Sequence, residues 1–175
     1  MYIGHLGLAL AGKGLRLTAP LWLLVVATQG CDWVQAVTCV VAPAGSSAMW
    51  SHSIPVGVIL GIALSLAAYI FTRDRGVAAL TGAMGVSHIL ADYVTGLKPT
   101  WPGGPMIGLS LYSHPLGDLA VEMAVLVFGW LVYRRSLPPE SRSSRLSWTL
   151  LVVLGAAQLL AVLQLGILPS IPKCM

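Results

Sequence analysis

The stretch GVAALTGAMGVSHILADYVT, residues 76–95, decides how the chain is read. At 1.5 Å per residue it covers about 30 Å as a helix, the thickness of a bilayer's hydrocarbon core. Yet it carries His88 and Asp92, four residues apart and therefore on one helical face. An ionisable side chain facing hydrocarbon costs roughly 2.5–3.5 kcal/mol even on lenient insertion scales. Such a pair predicts a polar partner from another helix.

Working outward, four more segments are long and apolar enough to span, roughly 18–42, 54–72, 108–133 and 147–168. A shorter apolar stretch, 2–12, reads as a half-span or interfacial segment. The composition agrees: 57% of residues are hydrophobic and 9% charged, where soluble domains run near 25% charged. Period-2 alternation is absent, so the expected fold class is all-α: a polytopic integral membrane helical bundle with about five transmembrane helices and a short N-terminal half-helix. Residues 1–175 form a single transmembrane domain. Lys13 and Arg16 precede an apolar run at 19–28, but Asp32 interrupts it, and the segment reads as a retained span, not a cleaved signal. Cys31, Cys39 and Cys174 are scattered, without a CxxC, and suggest neither a disulfide framework nor a thiolate zinc site.

Residues 43–53 and 96–107 read as irregular turns, and 73–75 as a tight charged turn. Threading the five spans puts Lys13, Arg16, Arg73, Arg75, Arg134, Arg135, Arg142 and Arg145 on one side and only Lys98 and Lys173 on the other. The positive-inside rule makes the first side cytoplasmic, with Trp50 and Trp101 at the opposite interface. The net charge of +4 is accounted for by these loops and does not indicate nucleic acid. Membrane lipids are the expected partners, with partner subunits or a homo-oligomer compatible with the glycine-rich helix surfaces.

The polar side chains share a depth. Counted from the cytoplasmic ends, His88 lies about 18 Å up its span, Asp92 about 24 Å, Asp32 about 21 Å, Glu122 about 16 Å and Asp118 about 22 Å. His52 opens the second span. His114, Asp118 and Glu122 are spaced i, i+4, i+8, a single stripe. His5 reaches this layer only if the short N-terminal helix tucks in beside the bundle. Imidazoles and carboxylates converging from several helices are a metal ligand set. The mixture suits a divalent Zn or Mn, or Fe, better than Ca, with one or two ions. Some of these groups would hold ligating imidazoles instead of the ion. A Ser-His-Asp triad drawn from Ser51, Ser53 or Ser87 is the weaker reading.

Gly4-His5-Leu6-Gly7, Cys31-Asp32-Trp33, Trp50-Ser51-His52-Ser53, Ser87-His88-Ile89-Leu90-Ala91-Asp92 and Gly108-Leu109-Ser110-Leu111-Tyr112, leading to Glu122, occur in this order. In this the chain resembles the bacterial inner-membrane family described as LexA-regulated, metal-dependent hydrolases with phospholipase-like activity. The resemblance runs over about residues 2–133. It implies metal binding by His5, Asp32, His52, His88 and Asp92. Ser113-His114 after Tyr112 departs from the pattern, and Asp118 has no counterpart in it.

The leading expectation is a membrane-embedded, metal-dependent hydrolase acting on a lipid or lipid-linked phosphoester at the extracytoplasmic leaflet. His5, Asp32, His52, His88, Asp92 and His114 are the candidate metal ligands, with Glu122 and Asp118 as catalytic base or further ligands. A non-catalytic subunit of a larger membrane complex is the alternative. A transporter or proton path is third, because few polar groups reach the cytoplasmic half.

Overall fold

A computed structural model describes residues 3–41, 48–142 and 144–167. They form helices α1 (Ile3–Leu15), α2 (Leu21–Val41), α3 (Ile54–Thr72), α4 (Arg75–Thr95), α5 (Pro115–Ser136), a short α6 (Pro139–Arg142) and α7 (Arg145–Ile167). The fold is all-α, as expected. α3, α4, α5 and the segment Pro139–Leu163 are long and apolar enough to cross a membrane. α2 matches them in length, but Gln29, Asp32 and Gln35 break its apolar run, and it is not counted with those four.

A polar cluster is buried in the bundle beside two apolar cores, and large apolar side chains cover much of the outside. His5, His52, His88 and Asp92 are fully buried, while Ile59, Ile62, Leu66 and Ile70 on α3 and Val152, Val153 and Leu160 on α7 face outward, each more than half exposed. A lipid exterior reverses the usual cost of such an arrangement.

The N-terminal segment departs from an interfacial position. α1 lies within the bundle, packing most extensively on α5 and running in the same direction. Gly4 meets Glu122, Gly7 meets Leu126 and Gly14 meets Tyr133. Missing side chains permit this. A Cβ at Gly7 would lie 2.7 Å from Leu126 Cα, and one at Gly129 would overlap the Gly7 carbonyl. Backbone thus rests on backbone, as small residues allow between membrane helices. α3 and α4 form an antiparallel hairpin, with Gly57 against Ile89 and Gly61 against Val86.

Two turns meet at the end of the bundle remote from His88. Asp74 caps α4, accepting from Gly76 N (2.8 Å) and Val77 N (3.1 Å), and pairs with the Arg16 guanidinium at 2.7 Å. Lys13 Nζ donates to the carbonyls of Leu17 and Ala19, closing the α1–α2 turn.

At the opposite end, residues 96–107 are more ordered than irregular turns. Lys98–Pro99 pair antiparallel with Met106–Ile107. The segment expected to be helical from 108 begins its helix only at Pro115. Gly108 (φ 140°) and Ser110 (φ 55°) adopt positive φ, which a right-handed helix cannot contain. A Cβ at Gly108 would overlap the Gly96 carbonyl, so a glycine is needed there.

Gly129→Val should destabilise the protein by about 3 kcal/mol, the upper range for overpacking, read as a lowered thermal midpoint in detergent. Gly30, in α2, has nothing within 4 Å of the added Cβ, so Gly30→Ala should be neutral or stabilising by up to about 1 kcal/mol.

The Asp74 carboxyl is held below its ordinary 3.8, first by the Arg16 hydrogen bond and then by the Val77 and Gly76 amides. A depressed value means the clasp stabilises fully above 3.8 and is lost as pH falls through the folded-state value. The thermal-midpoint gap between the native protein and Asp74→Asn should therefore be present at neutral pH and close in acid. A gap that persists in acid would contradict this.

Candidate metal centre

Four separate elements deliver one cluster. α1 supplies His5, α2 supplies Asp32, the 3-10 turn Ala48–His52 supplies His52 at its end, and α4 supplies His88 and Asp92 one turn apart. His52 Nε2 lies 3.1 Å from Asp32 Oδ1 and 3.1 Å from Asp92 Oδ2. His5 Nε2 lies 3.2 Å from Asp92 Oδ1 and 3.7 Å from Asp32 Oδ2. His88 Nε2 lies 3.6 Å from Asp92 Oδ2 and 3.9 Å from Asp32 Oδ1. The His5 and His88 rings are 4.0 Å apart, and the His52 and His88 rings 5.3 Å.

The spacing admits a ligand shell alongside the ion pairs. One donor atom each from His5, Asp32, His88 and Asp92 fall within 4.8 Å of one another. Metal bonds of about 2.1 Å at tetrahedral angles place neighbouring donors about 3.4 Å apart. The two His88 contacts, at 3.6 and 3.9 Å, and His5–Asp32 at 3.7 Å are longer than the 2.7–3.2 Å at which N–H donors meet oxygen, while the His52 contacts and His5–Asp92 fall within that range. His5 Nε2, His88 Nε2 and Asp32 Oδ2 are buried without a hydrogen-bond partner. Leaving such atoms unsatisfied costs about 1–3 kcal/mol each.

His88 settles which atoms face the centre. Its Nδ1 is 2.7 Å from the Thr28 carbonyl oxygen, which can only accept. The Nδ1 proton is therefore fixed on that side, and a neutral imidazole presents its Nε2 lone pair to the two carboxylates. Such a lone pair facing carboxylates is repulsive unless a cation lies between them or Nε2 is itself protonated, in which case both ring nitrogens donate. A backbone carbonyl on the distal nitrogen is also how ligating histidines are commonly oriented. His52 is held differently. Ser51 Oγ, 3.0 Å from His52 Nδ1, can donate or accept, so His52 can face the carboxylates either as a donor or as a lone pair.

The residue types, spacing and orphaned atoms of this group could hold a metal ion. Asp32 is the open edge, its side chain 24% exposed while the other four are closed off.

The remaining candidates divide. Glu122 is buried on α5 and accepts from Gly4 N at 3.0 Å, next in the chain to His5. Asp118 is buried one turn away, its Oδ1 without a hydrogen-bond partner. His114 lies apart from the cluster: it is exposed, and at φ −127°, ψ 81° it precedes the helix it was expected to join. The i, i+4 relation to Asp118 therefore does not apply to its side chain. Lys98, whose Nζ is 3.1 Å from Asp92 Oδ2, belongs to the site although its sequence position marked it only as a loop cation.

No protein-family model, curated protein or solved structure matches the chain.

Asp92 is the partner of Lys98 and His52 and lies nearest His5. Removing one member of a buried charge pair leaves the other uncompensated, at about 3–5 kcal/mol. Asp92→Ala should lower the unfolding midpoint in detergent accordingly. His114→Ala should change stability by less than about 0.5 kcal/mol, as surface substitutions do.

Proposed function

We propose that this chain is a membrane-embedded, metal-dependent hydrolase that cleaves a lipid or lipid-linked phosphoester near the extracytoplasmic face. The observation that carries the reading is the buried convergence of His5, His52, His88, Asp32 and Asp92, with His88 Nδ1 against the Thr28 carbonyl and its Nε2 turned toward two carboxylates. The resemblance to bacterial inner-membrane metal-dependent hydrolases supports the same ligand set. The basic loops set the orientation, with Arg73, Arg75 and Arg134 cytoplasmic.

His5, His88, Asp32 and Asp92 would hold the ion, with His52 as a fifth ligand or as a donor bridging the two carboxylates. A bound divalent ion would lower the pKa of water and polarise a phosphoryl oxygen. The protein's own contribution is orientation and proton handling. The Thr28 carbonyl accepts from His88 Nδ1, and the Gly4 amide, one residue before His5, donates to Glu122. Glu122 is the proposed general base, taking a proton from the attacking water, with Asp118 behind it on α5. The apolar helices around the cluster exclude bulk water, so charges act there at greater strength than in solution. Access runs past Asp32.

Elemental analysis of the purified native protein should find one or two equivalents of Zn, Mn or Fe. His88→Ala should lose that metal and drop phosphoester turnover by at least about a hundredfold, the scale of removing a metal ligand or its close support. Metal-free native protein, together with unchanged turnover in His88→Ala, would overturn the reading.

A further inference from the structure

Lys98 is placed with a care that pairing with Asp92 does not by itself require. Its short strand is tied on three sides. Tyr93 Oη donates to the Pro99 carbonyl at 2.8 Å, Thr100 N to the Pro105 carbonyl at 3.1 Å, and Ile54 N to the Thr100 carbonyl at 3.2 Å. The last bond fixes the hairpin to the start of α3, two residues after His52. Gly96 leaves a slot for the lysine stem: a Cβ there would lie 3.4 Å from Lys98 Cε and 2.9 Å from the Tyr112 ring. The ammonium is thereby turned back over the last turn of α4 to Asp92, and the residue is only 7% exposed.

An ammonium against a ligand oxygen opposes cation binding, so a centre built only to retain metal gains nothing from it. It does suit an anion brought to the metal. Two carboxylates, one divalent ion and one ammonium leave a single net positive charge among the groups that touch. An ammonium has three donors, and Asp92 is the one carboxylate paired with it among the described residues. Positive groups placed where phosphoryl oxygens carry charge are the usual means of stabilising phosphoryl transfer.

We infer that Lys98 is a substrate-binding residue that holds a non-bridging oxygen of an anionic phosphoester beside the metal. This makes the substrate class a phosphate ester and not a neutral carboxylic ester or amide. The inference rests on the cluster being a metal centre.

The test compares native protein, Lys98→Met and Lys98→Arg, each loaded with Zn or Mn in solution. Inorganic phosphate is titrated in detergent, and phosphatidate is presented in phosphatidylcholine nanodiscs, with lipid-only discs as blank. Native protein should bind one or both anions. Lys98→Met should weaken that binding by at least about tenfold, or about 1.4 kcal/mol, while holding metal at least as tightly because the competing ammonium is gone. Lys98→Arg should keep most of the anion affinity. Binding of phosphatidate alone assigns the phosphate to a lipid headgroup, whereas binding of inorganic phosphate shows that the phosphate group suffices. Should the methionine variant not fold, Lys98→Gln keeps a donor to Asp92 without the charge and carries the same expectation. Anion binding that is indifferent to Lys98 in metal-loaded protein, or absent from native protein in both arms, overturns this inference alone. Native protein that takes up no metal overturns the metal centre and this inference together.

Discussion

Three imidazoles and two carboxylates occupy one nearly closed volume inside the bundle, and compensating the two buried carboxylates is the condition on which the rest depends. Carboxylates removed from water are tolerated only when their charge is matched and their lone pairs are used. Here the matching joins five chain segments. The Thr28–His88 bond joins α2 to α4, the Glu122–Gly4 bond joins α5 to α1, and the Lys98–Asp92 pair joins the hairpin to α4. Holding the site and holding the bundle together are one requirement.

That requirement explains why a 13-residue helix sits inside the fold. α1 is short for a bilayer span. What it offers is a glycine face that lets its backbone approach α5 closely enough to bring His5 between α2 and α4. Larger side chains at Gly7 or Gly129 would push α1 outward and take one imidazole from the cluster. Glycine packing on one side of the helix therefore determines the ligand geometry on the other.

Much of this was legible in the sequence wherever helical periodicity governs. His88 and Asp92, four apart within α4, had to share a face, and a count of helical rise placed Asp32 at the same height. The same arithmetic failed at His114, because it presumed a helix through Pro115 when the residue before that proline has left helical geometry. The N-terminal segment was ambiguous, since its length left open whether it would lie at an interface or pack inside. The short hairpin was missed because its order comes from main-chain bonds among prolines and glycines. The partners that orient the site are main-chain too. The Thr28 carbonyl and Gly4 amide carry no signature in residue type, and Lys98 reaches Asp92 from a hairpin strand held by main-chain bonds.

An anomalous-difference map from crystals of the purified protein, collected at the absorption edge of the metal found in it, tests the central claim most directly. The account predicts a peak within about 2.3 Å of a donor atom from His5, His88, Asp32 and Asp92. Density showing those side chains hydrogen-bonded to one another around no anomalous scatterer would contradict it.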